Sequence, residues 1–435
     1  AWMIHEPRLV AETLSGTSIV FMNNAGWSTG GLVLSFGARR KRGECIAMKR
    51  IIAALAFGIA LASPLQAADQ IKVGFLSTLS GPGAALGIDI RDGFNLGIKH
   101  AGGKLGGLRV DLVVVDDQQN PDVARQAVER FVKSQKADIL TGVVFSSVLL
   151  PILPAILQSE TFYISPNTGP KDYAGDKCSP YFYVTSWQNE DIPGAAGKYM
   201  GEKGYKNVHL IAPNYPGGRE TVEGFKRLYK GGATEEIYTK LGQLDYSAEL
   251  AALRAAKPDA AYVFLPGGMG VNFIKQFVAA GLNSEVPLFL YGSSADEDTI
   301  KAVGDPMVGI FNTAQWSPDF DNPQNRNFVA EFQKEYGRLP TMHASQGYDT
   351  ALLIDAAVRD VKGKLEDKAA LRKALEAANF KSVRGNFRFN TNHYPIQSIY
   401  LRQVVKDAGG RITNKTVSRV LADHADAYAS SCNMR

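Results

Sequence analysis

The stretch 71–82, which reads IKVGFLSTLSGP, gives the first indication of the fold class. Its first six residues form a short apolar run with β-branched side chains, a pattern typical of a buried strand. Gly81 and Pro82 interrupt the run, and an amphipathic pattern at about 84–101 then predicts a helix. A buried strand followed by a helix is the repeating unit of a parallel α/β sheet.

The same alternation continues along the chain. Further strands are predicted at 108–115, 138–144 and 161–165, with helices at about 121–135, which Asn120 would cap, and at 147–158. After an irregular stretch at about 166–187, strands are predicted at 207–212, 235–239, 260–265 and 288–291, with helices at about 190–203, 218–230, 247–256 and 270–281. A third section adds a strand at 308–315, helices at about 323–337 and 344–361, and a tail with strands at 396–405 and 417–421. The pattern predicts two Rossmann-like units joined as one hinged body.

Length and composition fit a globular protein with two separate cores. The chain has 435 residues, of which 45% are hydrophobic and 21% are charged. The formal net charge is +5, but most of the excess basic residues fall within the first 50 positions. The basic character of the whole chain therefore gives no reason to expect a nucleic-acid partner.

An N-terminal segment has the pattern of a secretory signal. Met48, Lys49 and Arg50 precede an apolar run at 51–62, and small residues then place a cleavage site after Ala67. The alternative is a short buried helix. We interpret 48–67 as a signal peptide, too short for a membrane-spanning helix of about 20 residues, and 1–47 as translation from an upstream start. We expect a periplasmic protein without stable membrane insertion.

Three cysteines are present, and Cys45 precedes the predicted cleavage site. Cys178 and Cys432 would remain in an oxidising compartment, where an even number of cysteines can pair. The sequence allows either a disulfide between them or two unpaired cysteines.

Five motifs, in order, resemble the leucine/isoleucine/valine-type periplasmic binding proteins. They are the stretch 71–82, Val115-Asp116-Asp117-Gln118, Pro213-Asn214-Tyr215, Tyr336-Gly337-Arg338-Leu339-Pro340 and Tyr348-Asp349-Thr350-Ala351. The resemblance covers about residues 70–425. It implies a type I periplasmic binding protein: two α/β lobes with parallel-type sheets, three crossovers, and a ligand held in the cleft between the lobes. It also implies delivery of the ligand to an ABC transporter permease, and we expect a monomer. Lobe 1 would comprise 70–187 plus 313–385, and lobe 2 would comprise 188–312 plus 386–435.

Candidate ligand-binding residues follow the strands of the predicted sheets, where ligands of such sheets bind. They are Ser80 after the first strand, Ser146 and Ser147 after the third, and Asn167 and Thr168 after the fourth. Hydroxyls and backbone N–H groups at helix N-termini favour an anion such as a carboxylate. By the resemblance, Ser147 and Thr168 match positions that grip the ligand's carboxylate and neighbouring groups. The alternative for each residue is a capping or turn role without a ligand.

The class of ligand is indicated by one departure from the family's pattern and by several aromatic residues. Gln243 stands where amino-acid-binding members carry a glutamate that neutralises the ligand's ammonium, which argues against an α-amino acid unless Asp245 substitutes. Phe145, Trp187 and Tyr215 lie in predicted loops and suit a flat apolar ligand, as Trp316 also could. Segments 181–189 and 385–397 resemble the subgroup that binds benzoates and hydroxycinnamates. Gly268 lies in a glycine-rich turn that permits close approach to a ligand or simply a tight turn.

Motifs for catalysis are missing from the sequence. The six histidines form no close-spaced metal-binding pair, and neither a Gly-x-Ser-x-Gly elbow nor a phosphate-binding loop occurs. We therefore predict no catalytic residues, metal or cofactor. The first hypothesis is a receptor for an aromatic carboxylate. The alternatives are a receptor for branched-chain amino acids or amides, with a transport or sensory role, and a secreted enzyme on the same lobes.

Overall fold

A computed structural model describes residues 69–434 of the chain. The predicted signal peptide at 48–67 and the upstream segment at 1–47 lie outside the described residues.

The first sheet has six strands in the order β2-β3-β1-β4-β5-β6, and every neighbouring pair except β2–β3 is parallel. Its strands are β1 Gln70–Ser77, β2 Lys104–Leu105, β3 Leu108–Asp116, β4 Ile139–Thr141, β5 Phe162–Ser165 and β6 Phe182–Val184. Its helices are α1 Ala84–His100, α2 Pro121–Glu129, which continues as a π-helical turn to Gln135, α3 Ser146–Gln158 and the short α4 Lys171–Ala174. The Asn120 side chain accepts a bond from the Asp122 N–H at the start of α2, which confirms the predicted cap.

The second sheet is built in the same way. Its order is β12-β13-β11-β10-β9-β7-β8, with β14 paired to β13, and the strands β7 to β11 are parallel. The strands are β7 Asn207–Pro213, β8 Ala233–Thr239, β9 Ala260–Val263, β10 Leu288–Tyr291, β11 Phe311–Ala314, β12 Arg388–Phe389, β13 Pro395–Lys406 and β14 Ile412–His424. The helices are α5 Asp191–Glu202, α6 Pro216–Leu228, α7 Ser247–Ala256, α8 Gly268–Ala279 and α9 Glu297–Val303.

Three further helices return to the first sheet: α10 Pro323–Tyr336, α11 Met342–Asp360 and α12 Lys368–Ala377. The contact between α11 and α1 is close because glycines line it. A Cβ atom on Gly93 would lie 1.9 Å from the carbonyl oxygen of Ala344, and one on Gly347 would lie 2.0 Å from that of Ile90. Only glycine allows the two backbones to approach so closely.

The chain passes between the two sheets three times, after β6, after β11 and after α12. Arg384, in the third passage, donates to the carbonyl oxygen of Thr185 in the first passage at 2.6 Å and to Gln397 Oε1 at 2.7 Å. It also pairs with the buried Asp349 of α11 at 3.1 Å. The molecule is thus a two-lobed α/β protein with parallel-rich sheets, as the sequence predicted. The detailed lobe boundaries stay a prediction, and β11 extends to Ala314, beyond the expected boundary at 312.

Two further features are a disulfide bond and the character of the helices. The Sγ atoms of Cys178 and Cys432 are bonded, with a sequence separation of 254 residues. Within residues 69–434, none of the helices combines the length and the apolar character that a bilayer crossing requires.

Candidate ligand-binding cleft

The N-terminus of α3 is the first component of the site. This helix begins directly after Phe145, which lies four residues beyond the end of β4, and no side chain caps it. Its first-turn N–H groups and the helix dipole therefore favour an anion at this end. The Oγ atom of Ser147 is buried there without a hydrogen-bond partner. A buried hydroxyl with no partner costs free energy, so a ligand that accepts a hydrogen bond from it would relieve that cost.

Ser146 and Thr168 lie together beside this helix end. The two hydroxyls are hydrogen-bonded to each other, and both side chains are buried. Ser146 Oγ also accepts a 3.3 Å bond from Asn189 Nδ2, in the first passage between the lobes. The two residues, 22 positions apart in sequence, are therefore held in one hydrogen-bonded group with the inter-lobe segment.

Asn167 lies beside this group, and of its two amide atoms only Nδ2 is hydrogen-bonded. Its Nδ2 donates to the carbonyl oxygen of Val144 at 2.6 Å, which orients the amide. Its Oδ1 is buried without a partner. This oxygen is an acceptor and suits a donor such as a hydroxyl group or a water molecule.

Aromatic rings from both lobes form the second component. Phe145 contacts Tyr215 edge to face, with centroids 6.0 Å apart. Tyr215 stacks on Phe264 at 6.4 Å, Phe264 packs on Tyr291 at 4.7 Å, and Tyr291 packs on Trp187 at 6.2 Å. We call these five residues the aromatic cluster. Its rings provide flat apolar surfaces next to the N-terminus of α3.

The lobes contact each other next to this cluster. The N–H group of Gly268, at the start of α8, donates to the carbonyl oxygen of Pro82 at 3.0 Å. A salt bridge also joins Lys171 of the first lobe to Glu223 of α6. The structure therefore represents lobes that are in contact, and Gly268 takes part in that contact through its backbone.

Three further residues considered at the sequence level have surroundings of their own. Ser80 is exposed. The Gln243 side chain is half-buried and stabilises its own turn, because Nε2 donates to Asp245 O at 2.7 Å and to Glu249 Oε1 at 2.9 Å. Trp316 is fully buried and donates to Asn325 Oδ1 at 2.7 Å.

Sequence reasoning missed other residues of the site. Phe264 directly follows β9, and Tyr291 ends β10, so both occupy the strand ends where ligand-binding residues were sought. Asn189 and Glu220 were also missed. They meet at 2.6 Å only because the first passage and α6 pack together, and no local pattern reports that contact.

Two buried glutamates, Glu220 and Glu190, lie near the site. Burial raises the pKa of Glu220 to about 7, although its bond from Asn189 opposes the shift. Burial also raises the pKa of Glu190, which accepts from Tyr428 OH at 2.6 Å and pairs with Arg227. In the part of the chain that the structure describes, no cluster of three His, Cys, Asp or Glu residues suits a metal ion.

Comparison with known proteins identifies the family. The model for periplasmic binding proteins matches residues 70–410. The chain belongs to that family. Among relatives of this periplasmic binding protein is a Leu/Ile/Val-binding protein homolog 6 of Brucella melitensis biotype 1, 26% identical over 382 residues, which cover 85% of this chain and 96% of the relative.

Two solved structures are similar over nearly their whole length. An ABC transporter solute-binding protein from R. palustris in complex with benzoate has a TM-score of 0.79 at 32% identity, covering 83% of this chain and 99% of that one. A solute-binding protein from Rhodopseudomonas palustris BisB5 in complex with 3,4-dihydroxy benzoic acid has a TM-score of 0.75 at 28% identity, covering 82% and 98%.

Proposed function

We propose that this periplasmic binding protein is a receptor for a small aromatic carboxylate of the benzoate or hydroxycinnamate type. It binds the ligand between its lobes in the periplasm and delivers it to an ABC transporter permease, without a catalytic step. The observation that carries the proposal is the aromatic cluster beside the uncapped N-terminus of α3, where the Ser147 hydroxyl has no partner.

The helix end accounts for the carboxylate. A negatively charged group there would accept bonds from backbone N–H groups and from Ser147, and the helix dipole would favour its charge. Thr168 and Ser146 stand next to it as further hydroxyls. An isolated ammonium would meet the same dipole unfavourably.

The aromatic cluster accounts for the ring. Phe145 and Tyr215 approach from different lobes and meet edge to face, so a flat ring bound against them would have aromatic contacts from both lobes. The side-chain amide of Gln243 is neutral and is bonded within its own turn, so it neither carries a charge to neutralise an ammonium nor is free to bond one. The benzoate and 3,4-dihydroxy benzoic acid complexes of the similar proteins support this class of ligand.

A second candidate is a receptor for a branched-chain amino acid or an amide, with a transport or sensory role. The names of the Brucella relatives favour it. In that case the ammonium or amide N–H groups would require acceptors in the cleft, and Asn167 Oδ1 is one such acceptor.

A thermal-shift comparison of four compounds tests the proposal. Benzoate has both the ring and the charge, benzamide lacks the charge, cyclohexanecarboxylate lacks the flat ring, and L-leucine represents the alternative. A ligand that binds only the folded protein stabilises it by about 2.7 kcal/mol at a hundredfold excess over its Kd. We expect the largest rise in Tm with benzoate. A rise with L-leucine and none with benzoate would overturn the proposal in favour of the second candidate.

A further inference from the structure

Glu220 is a buried carboxyl group that the proposed ligand contacts do not explain. It lies in α6 on the second lobe, and its side chain is 7% exposed. Its Oε2 accepts a 2.6 Å bond from Asn189 Nδ2, and its Oε1 accepts a longer bond of 3.4 Å from the N–H group of Lys171. Both partners lie outside the second lobe's sheet, so Glu220 bridges α6 to the inter-lobe segment and to the first lobe.

Asn189 connects Glu220 to the carboxylate subsite. Its Oδ1 must be the atom that faces Gly169, because the Gly169 N–H group can only donate, at 2.9 Å. Its Nδ2 therefore points the other way, with one N–H bonded to Glu220 and the other to Ser146 Oγ at 3.3 Å. Glu220 is thus one side chain away from the hydroxyl pair of Ser146 and Thr168.

The groups around Glu220 offer little compensation for an ionised carboxylate. The cation that acts on Glu220, Lys171, is engaged elsewhere, since it pairs with Glu223. The charged and titratable groups that face Glu220 from the surrounding elements are Lys171, Glu190, Tyr215 and Tyr394. Glu190 adds like charge, and the two tyrosines are buried with raised pKa values.

Because Asn189 joins Glu220 to Ser146 at the start of α3, two carboxylates would come close together when the ligand binds there. One is Glu220 and the other belongs to the ligand at the N-terminus of α3. Like charges that share a poorly solvated site do not both stay ionised, so one of them takes a proton. The ligand carboxylate has donors at the helix end to stabilise its charge, whereas Glu220 has a single short bond from a neutral amide.

We propose that Glu220 takes up one proton from solvent when an aromatic carboxylate binds, so that this residue makes the affinity of the cleft for anions depend on pH. The inference rests on the proposed function, because it requires a carboxylate ligand at the N-terminus of α3. The proton goes to a carboxylate oxygen of Glu220, and Asn189 continues to donate to the other oxygen. The pKa of this carboxyl group, already raised to about 7 by burial, is consistent with uptake near neutral pH.

The direction of the pH dependence follows from linkage. A nearby ligand anion raises the pKa of Glu220 further, so the bound protein holds more protons than the free protein. Binding is therefore tightest below the pKa of the free protein and weakens as the pH rises through that of the complex. For one linked proton, Kd rises by at most about tenfold per pH unit.

Calorimetric titration with benzoate tests this inference. The protein is titrated between pH 6 and pH 8.5, where benzoate stays ionised, in two buffers that differ in ionisation enthalpy. We expect Kd to rise by about tenfold over this range and the heat to differ between buffers, as uptake of one proton requires. Glu220→Gln keeps an acceptor for Asn189 and resembles the protonated acid, so it should bind benzoate with a Kd nearly independent of pH and should bind more tightly than the wild type at pH 8.5. Glu202→Gln, which removes an exposed carboxylate from α5, serves as the matched control and should behave as the wild type.

Each other outcome has a distinct meaning. Benzoate binding with a pH-independent Kd and no buffer dependence would overturn the inference and leave the proposed function standing. A Glu220→Gln variant that binds more weakly at every pH would also overturn it, because the ionised carboxylate would then assist the ligand. If benzoate does not bind at any pH, the proposed function fails and the inference fails with it.

Discussion

The rings of Phe145 and Tyr215 meet edge to face, with centroids 6.0 Å apart, although they belong to different lobes. Phe145 immediately precedes α3, whose N-terminus would hold the carboxylate, and Tyr215 immediately precedes α6, which carries Glu220. The contact therefore places the aromatic cluster beside both the N-terminus of α3 and the helix that carries Glu220. It exists only while the lobes are in contact, so a ligand that binds both rings would stabilise the closed arrangement.

Replacing Tyr215 by alanine should weaken benzoate binding. The variant loses one aromatic face of the cluster, and we expect a loss of about 2 kcal/mol, or roughly thirtyfold in Kd. Calorimetric titration measures the change. Tyr238→Ala provides the control, because this tyrosine lies on the edge strand β8 away from the cluster. Equal Kd values for Tyr215→Ala and the wild type would show that the Tyr215 ring does not contribute to ligand binding.

Replacing Ser147 by alanine should weaken ligand binding without lowering the stability of the protein. The Ser147 hydroxyl has no partner in the free protein, so its removal should leave the Tm unchanged or slightly raised. Benzoate binding should weaken by about tenfold or more, because a bond to a charged group is lost. Ser159→Ala, at the other end of α3, should do the opposite, since that hydroxyl is bonded to Ile156 O at 2.7 Å and to Thr161 at 2.9 Å. A lower Tm in Ser147→Ala with unchanged Kd would contradict a ligand-binding role.

Much of the fold could be predicted from the sequence because buried parallel strands are short apolar runs between amphipathic helices. The strand β1 and the helix α1 lie where the stretch 71–101 predicted them. The strand β6 was missed because it has only three residues within an irregular stretch, and the helix α12 was missed because its single apolar stripe is short. Such elements depend on tertiary packing rather than on local pattern.

The buried pair of Arg384 and Asp349 should stabilise the connection between the lobes. Arg384→Gln leaves Asp349 without its cation, and we expect a loss of about 3–5 kcal/mol in the free energy of unfolding near neutral pH. Burial already raises the pKa of Asp349, and the loss of Arg384 should raise it further. The folded variant then holds an extra proton at low pH, so the deficit should shrink as pH falls. Urea denaturation at pH 5 and pH 8 measures it, with Arg372→Gln as a partly exposed control that also removes a pair with a carboxylate. A deficit that grows on acidification would contradict this explanation.

The disulfide between Cys178 and Cys432 should contribute to stability because it links positions separated by 254 residues. Replacing both cysteines by alanine should lower the free energy of unfolding by about 2–4 kcal/mol. Denaturation of the wild type with and without reductant checks the result. The reduced wild type should match the double variant. A wild type that is insensitive to reductant would show that the bond adds no stability.

The candidate site could be predicted only in part, for a related physical reason. Residues that follow strands share one edge of a sheet, so Phe145, Ser147 and Thr168 could be grouped before the structure was known. The local bonds of Gln243 depend on the turn that contains it, and alignment with family motifs does not reveal them. The contact of Asn189 with Glu220 joins an inter-lobe segment to a helix of the second lobe, and neither residue carries a local signal of it.

A crystal structure of the protein grown with benzoate would show the proposed ligand contacts themselves. The account predicts the carboxylate within about 2.7–3.0 Å of Ser147 Oγ and of backbone N–H groups at the N-terminus of α3. It predicts the ring against Tyr215 and Phe145, with the lobes closed around it. Benzoate bound outside the cleft, or with its carboxylate directed away from α3, would contradict the account.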